Sequence, residues 1–200
     1  MSTLSSNGHD NEILNSYLSP FANSCQTCTF LTFYQFNRNA DLPLGGEKSP
    51  CSTFVRYSRL EFLSLALKCG TVLKSYTVSK LSKVAHYFSN NSPADFALRL
   101  ASTFLGATPV TINWQGDRPI KVAYKIRITN SKLLIIDNLV DLEVVSEVLE
   151  ILGEEYDLKV CNIDQELLKD EARFWETKEM DVASFETTTT KSDSKIVIFT

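Results

Sequence analysis

The sequence has only two histidines, His9 and His86, no apolar run near the ~20 residues needed to cross a bilayer, and no excess of positive charge. The shortage of histidine leaves little material for a His-based metal cluster or proton relay. With a net charge of -4 and a pI near 5.3, there is no broad positive field to wrap a phosphate backbone, so nucleic acid is a poor candidate partner. The opening "MSTLSSNGHDNE" lacks the basic and apolar regions of a secretory leader, and the expectation is an intracellular, cytoplasmic protein. Five cysteines (Cys25, Cys28, Cys51, Cys69, Cys161) with one close pair do not make the framework of a secreted domain, so reduced thiols are expected.

Motifs that would announce chemistry are also missing. There is no Gly-x-Ser-x-Gly elbow for a hydrolase. "LGGEKS", residues 44–49, lacks the adjacent Gly-Lys and the earlier glycine that let a phosphate loop curl, because Glu47 separates Gly46 from Lys48 and Asp41 stands at the earlier position; it reads as a turn. Cys25-Gln26-Thr27-Cys28 has the CxxC spacing that lowers a thiol pKa at a helix start or supplies half of a zinc site, but neither context is present: there is no second CxxC or closely spaced His pair, and the motif lies in the irregular lead-in. The carboxylates between Asp141 and Asp181 fall mainly on outer faces of predicted helices, so no metal site is assigned. Trp114 and Trp175 read as packing residues, and His86 as a hydrogen-bonded sheet residue.

What is present is an ordinary apolar content of 44% over 200 residues, enough for one domain and a tail. Residues 1–50 are rich in Ser, Asn and Thr and read as a polar tail and irregular lead-in, interrupted by the aromatic cluster "FLTFYQF". From residue 51 to 200, strand-like runs alternate with helical segments. "STFVRY" reads as a strand; "SRLEFLSLALKCG" reads as a helix with Ser58 and Glu61 at capping-box spacing and Gly70 as its stop. In "NNSPADFALRLASTFLGATPVTIN", Ser92 can cap, Pro93 suits the first helical position, and Gly106 can end the helix, with Phe96, Leu100 and Phe104 as one stripe beside Ala97, Ala101 and Leu105.

"DRPIKVAYKIRITN" reads as a helix with Ile120, Tyr124 and Ile128 on one face. "SKLLIID" follows as a strand, "DLEVVSEVLEILG" as a helix ending at Gly153, "YDLKVCNI" as a strand, and "DQELLKDEARFWE" as a charged helix. The final "SKIVIFT" has the unbroken apolar character of a strand covered on both faces. Alternating strands and helices imply an α/β fold, a mostly parallel sheet with helices on both faces.

In order along the chain, "TFVRYSRLEFLSLALKCG", "NNSPADFALRLASTFLGATPVTINWQ", "KIRITNSKLLIID" and "SKIVIFT" are similar to successive pieces of the N-terminal part of the adenylate-forming enzymes, a superfamily that includes acyl-CoA synthetases. The segment "TVLKSYTVSKLSK" is longer than the family's usual turn there and lacks its Gly-Asp. The resemblance implies an incomplete N-terminal subdomain of an AMP-forming ligase, residues 51–200. Such enzymes activate a carboxylic acid with ATP and magnesium and commonly pass the acyl group to CoA.

The family's phosphate-binding signature loop would begin directly after Thr200. Thr200 is therefore the one position carried over to the nucleotide site, as the residue leading into that loop. The implied expectations are no catalytic residue, metal or cofactor in this chain and no activity from it alone. A catalytically empty α/β module that binds a partner protein, and a thiol-redox protein using Cys25 and Cys28, are the competing readings.

Overall fold

The computed structural model describes residues 27–35, 53–166 and 197–198. Two strands, β1 (Thr29–Gln35) and β2 (Thr53–Ser58), form an antiparallel ribbon with Thr32 opposite Arg56. Both differ from expectation. "FLTFYQF" supplies a strand where an irregular lead-in is expected, and "STFVRY" pairs with it rather than joining the parallel sheet. The ribbon rests on the following helix through aromatic contacts: the Phe62 ring lies 5.2 Å from that of Phe30 and 6.2 Å from that of Tyr57. That apolar contact gives the ribbon a partner it needs, because a two-stranded hairpin alone is marginal in water.

Helix α1 (Arg59–Ser75) starts at a complete capping box: Ser58 Oγ accepts from the Glu61 amide at 3.2 Å, and Glu61 accepts from the Ser58 amide at 2.7 Å. It does not stop at Gly70. The glycine is buried within the helix, and the chain continues because Val72 and Leu73 belong to the core. The helix ends instead with Thr77 in the left-handed region (φ 64°), where the Thr77 amide donates to Lys74 and the Val78 amide donates to Leu73.

A parallel sheet of five strands follows in the order β6-β5-β3-β4-β7, from β3 (Lys83–Tyr87), β4 (Thr108–Thr111), β5 (Leu133–Ile136), β6 (Lys159–Asn162) and β7 (Val197–Ile198). Ala85 stands opposite Val110 on one side and Leu134 on the other. The connecting helices are α2 (Pro93–Phe104), α3 (Pro119–Thr129) and α4 (Leu142–Leu152). Crossovers between parallel strands are right-handed, so the step from β3 out to β4 and the step back from β4 to β5 must place their helices on opposite faces.

The two core clusters obey that rule. Val84, Leu133 and Ile135 face α1 and α2, while Ala85, Tyr87, Leu134 and Ile136 face α3 and α4, as the two-residue period of a strand requires.

Helix α2 matches its sequence punctuation, with Ser92 Oγ accepting from the Asp95 amide at 3.0 Å, Pro93 at the first position and Gly106 at φ 68°. Its inward face is rotated from the expected stripe. Ala97, Leu98, Ala101 and Phe104 are buried, and Phe96 is 49% exposed, packing its ring 5.3 Å from Phe62. The alanines let α2 approach α1 closely, which favours this face over the bulkier one. Helix α3 departs further: Val122, Ala123 and Ile126 face the core, whereas Ile120, Tyr124 and Ile128 point outward at 68%, 58% and 58% exposure. Helix α4 ends at Gly153 (φ 81°), as expected.

Candidate functional site

In open parallel sheets, ligands bind beyond the carboxyl ends of the strands, where neighbouring connections leave for opposite faces. Here that place is β3, whose following loop goes to α2 while the loops after β4 and β5 go to α3 and α4. Three groups of side chains close it.

The first runs between β3, α2 and β4. His86 is buried, and its Nδ1 lies 3.0 Å from Asp95 Oδ1; Arg99 Nε donates to both Asp95 oxygens at 3.0 and 3.1 Å, and Arg99 Nη1 donates to Thr111 Oγ1 at 2.7 Å. Burial lowers the His86 pKa against the opposing pull of Asp95, so the imidazole is neutral near pH 7. A neutral ring that meets a carboxylate at Nδ1 carries its proton there, leaving Nε2 as an acceptor. Nε2 is buried with no hydrogen-bond partner. Burial works against the Asp95 charge, but the bonds from His86 and Arg99 prevail and hold its carboxyl below the usual range.

The second group ties the loop after β4 to α3. Asp117, buried, accepts from the Asn113 amide at 2.8 Å and from Lys125, and Lys121 lies 3.1 Å from its other oxygen. Lys125 is itself buried. Burial opposes ionisation of Asp117, yet the bonds from Lys125, the Asn113 amide and Lys121 outweigh it and lower its pKa.

The third group fastens the loops after β3, β5 and β6. Asp137 accepts from the Ser89 amide (3.0 Å), from Ser89 Oγ (2.9 Å to one oxygen and 3.1 Å to the other), and from the Leu139 and Val140 amides (3.0 Å each). Asp164 accepts from the Asn138 amide at 2.9 Å. These carboxylates are therefore occupied as braces between loops. Among the described residues no three His, Cys, Asp or Glu side chains are grouped so that they could hold a metal ion. A nucleotide's magnesium would find the oxygens of Asp137 already taken by four donor groups, so this crevice does not fit it.

The predicted residues are scattered. Thr200 lies outside the described residues, two positions beyond Ile198, whose Cα partner on β4 is Thr111. His9, Cys25, Cys51, Trp175 and the "LGGEKS" turn also lie outside them, as does the charged segment beyond Glu166. His86 is the hydrogen-bonded sheet residue expected. Trp114 is not a packing residue but sits 39% exposed in the turn after β4.

Cys28 is disulfide-bonded, against the expectation of reduced thiols; it sits exposed in the turn before β1, where another thiol can reach it. Cys69 and Cys161 are free and buried, and burial pushes the Cys69 thiol well up, which leaves it inert. No helix among the described residues is long and apolar enough to cross a membrane.

Neither a protein-family profile nor a curated protein matches this sequence. Solved structures do. The chain is similar to the N-terminal domain of FACL13 from Mycobacterium tuberculosis, with a TM-score of 0.59 and 21% identity, over 73% of this chain and 35% of that one. It is also similar to a Mycobacterium tuberculosis fatty acyl CoA synthetase, with a TM-score of 0.56 and 21% identity, over 71% of this chain and 26% of that one. A third is O-succinylbenzoate Coenzyme A synthetase (MenE) from Bacillus subtilis, in complex with AMP, with a TM-score of 0.56 and 12% identity, over 73% of this chain and 33% of that one.

At such identities the likeness is one of fold, and the chain spans about a third or less of the length of these proteins. The α/β fold and the resemblance read from the sequence hold at that level.

Proposed function

We propose that this chain supplies the opening portion of an AMP-forming acid–thiol ligase of the acyl-CoA synthetase kind, acts in the cytoplasm, and carries no adenylation activity by itself. The observation that supports the reading is the parallel sheet in the order β6-β5-β3-β4-β7, in a fold similar to the N-terminal domain of FACL13 and to MenE, about a third of each of which is covered by the match. In this reading ATP, magnesium and CoA are held by residues of the complete ligase that this chain does not contribute. Thr200 leads toward the phosphate-binding loop.

The reading agrees with the chemistry at the strand ends, where Asp95, Asp117 and Asp137 each spend their oxygens on the chain's own donors. Removing a single transition-state donor from an active site costs ~10²–10³ in rate, so a chain without the nucleotide-binding set has no measurable turnover. The test is carboxylate-dependent ATP–pyrophosphate exchange by the purified 200-residue protein across a panel of fatty and aryl acids. No exchange is expected; exchange above the protein-free rate would overturn the proposal.

A further inference from the structure

Helix α3 has two apolar faces. At about 100° per residue, Ile120, Tyr124 and Ile128 fall within an arc of roughly 80°, opposite the Val122, Ala123 and Ile126 side that meets the sheet. An apolar stripe on the solvent side of a helix marks a contact surface when its surroundings say what the contact is. The surroundings here are specific.

Helix α4 packs alongside α3, and Arg127 Nη2 of α3 donates to the carbonyls of Ile151 and Leu152 at the end of α4, so the two helices run side by side with their carboxyl ends together. The outward side of α4 carries Glu143, Glu147 and Glu150 at i, i+4 and i+7, all exposed and none paired with a cation among the described residues. The cations of α3 are engaged: Lys121 and Lys125 on Asp117, Arg127 on the α4 carbonyls. The outer surface of this layer is thus an apolar stripe lying next to a row of unmet negative charge.

We propose that this surface docks a basic amphipathic helix of a partner protein. The partner's apolar ridge lies on Ile120, Tyr124 and Ile128, and its Lys or Arg side faces Glu143, Glu147 and Glu150. Ile120 to Ile128 spans eight residues, about 12 Å of helix axis, which matches the two turns over which an i, i+4 ridge repeats. An anionic membrane is disfavoured because the carboxylate row would face its phosphates. A second copy of this chain is disfavoured because stacking two such layers sets Glu against Glu, or Glu against the apolar stripe. The surface stands independently of the ligase reading, since none of its residues belongs to the crevice at the strand ends.

Fluorescence anisotropy of a labelled Leu/Lys amphipathic peptide about three turns long, added to the purified chain at low salt, reads the proposal directly. Saturable binding is expected. It should weaken at least about tenfold in the Glu143→Gln/Glu147→Gln/Glu150→Gln variant and in the Ile120→Asn/Ile128→Asn variant, roughly the loss of one to two good contacts, and a Leu/Glu peptide of the same length should not bind.

Circular dichroism checks the variants. Should the asparagine pair fail to fold, the glutamine variant decides alone, because it alters only exposed side chains. No saturable binding, or binding unchanged in the folded variants, overturns the proposal. So does sedimentation of the chain with phosphatidylserine vesicles that needs Ile120 and Ile128, or a dimer in analytical ultracentrifugation that the same substitutions dissolve.

Discussion

On the α1–α2 side of the sheet the polar chain runs His86, Asp95, Arg99, Thr111, with the carboxylate and guanidinium partly open to water, whereas on the α3–α4 side one carboxylate, Asp117, collects two lysines with Lys125 fully enclosed. Both groups tie the start of a crossover helix to the sheet or to the loop before it. They differ in what happens when a partner is lost. Water can solvate Arg99 or Asp95 if the other goes; no water reaches Lys125. The comparison shows that the same job, fixing a helix beyond a strand end, can rest on a replaceable contact or an irreplaceable one, and burial rather than charge decides which.

The sharpest way to break the pair is Asp117→Ala. It removes the carboxylate that meets the buried Lys125, and the expected cost is ~3–5 kcal/mol in denaturant unfolding. Lys125→Met should cost less, because Asp117 keeps Lys121 and the Asn113 amide, and in the double variant much of the Asp117→Ala loss should return. On the other side Arg99→Met should cost only about 1–2 kcal/mol, since Asp95 is in reach of water and still meets His86. Equal losses for Asp117→Ala and Arg99→Met would remove the basis of the contrast.

Acid separates the layers again. His86 is neutral when folded because its pKa lies below the ordinary ~6.5, so the unfolded chain takes up a proton first as pH falls. Stability is therefore complete above about 6.5 and declines below it, by at most ~1.4 kcal/mol per pH unit. Asp95, whose pKa is lowered from 3.8, adds a second loss as pH falls below that value. Urea midpoints measured at pH 7, 6 and 5 should drop in the parent protein and drop less in His86→Gln, which cannot titrate. A glutamine variant with the parent's slope would mean that the imidazole is not the group responding.

How much of this was legible follows from whether the cause is local. The ends of α2 were readable because Ser92, Pro93 and Gly106 act on their own neighbours. The end of α1 was not: Gly70 looks like a stop, but burial of Val72 and Leu73 in the core outweighs the cost of a glycine in a helix, about 1 kcal/mol.

The buried face of α3 is ambiguous in the sequence because the segment has two apolar stripes of similar spacing, and the buried one contains Lys125, a charge that only makes sense with Asp117 beside it. Ser89 and Asp137, 48 residues apart, left no signal in the sequence. Asp95 and Arg99, at i and i+4 on a well-punctuated helix, are a pair that spacing alone signals.

The smallest expected effect compares the two helices of the α1–α2 layer at their carboxyl ends. Both close with the same pair of bonds: the Gly106 amide donates to Thr103 and the Ala107 amide to Ser102 after α2, as Thr77 and Val78 do to Lys74 and Leu73 after α1. In both, the residue after the cap is left-handed, φ 68° at Gly106 and 64° at Thr77. Glycine adopts that region freely, but a β-branched threonine is strained there by roughly 1–2 kcal/mol. What holds Thr77 in place is the burial of Val78 against Leu73, together with its own hydroxyl, which donates to the Tyr76 carbonyl at 2.6 Å. Thr77→Gly relieves the strain and loses about 0.5–1 kcal/mol to the freer unfolded chain, so the net expectation is a gain of roughly 0.5–1 kcal/mol, seen as a higher thermal midpoint. The reciprocal Gly106→Thr should destabilise by about the strain it introduces. If Thr77→Gly lowers the midpoint instead, the hydroxyl contact outweighs the backbone strain, and the two helix ends are not equivalent after all.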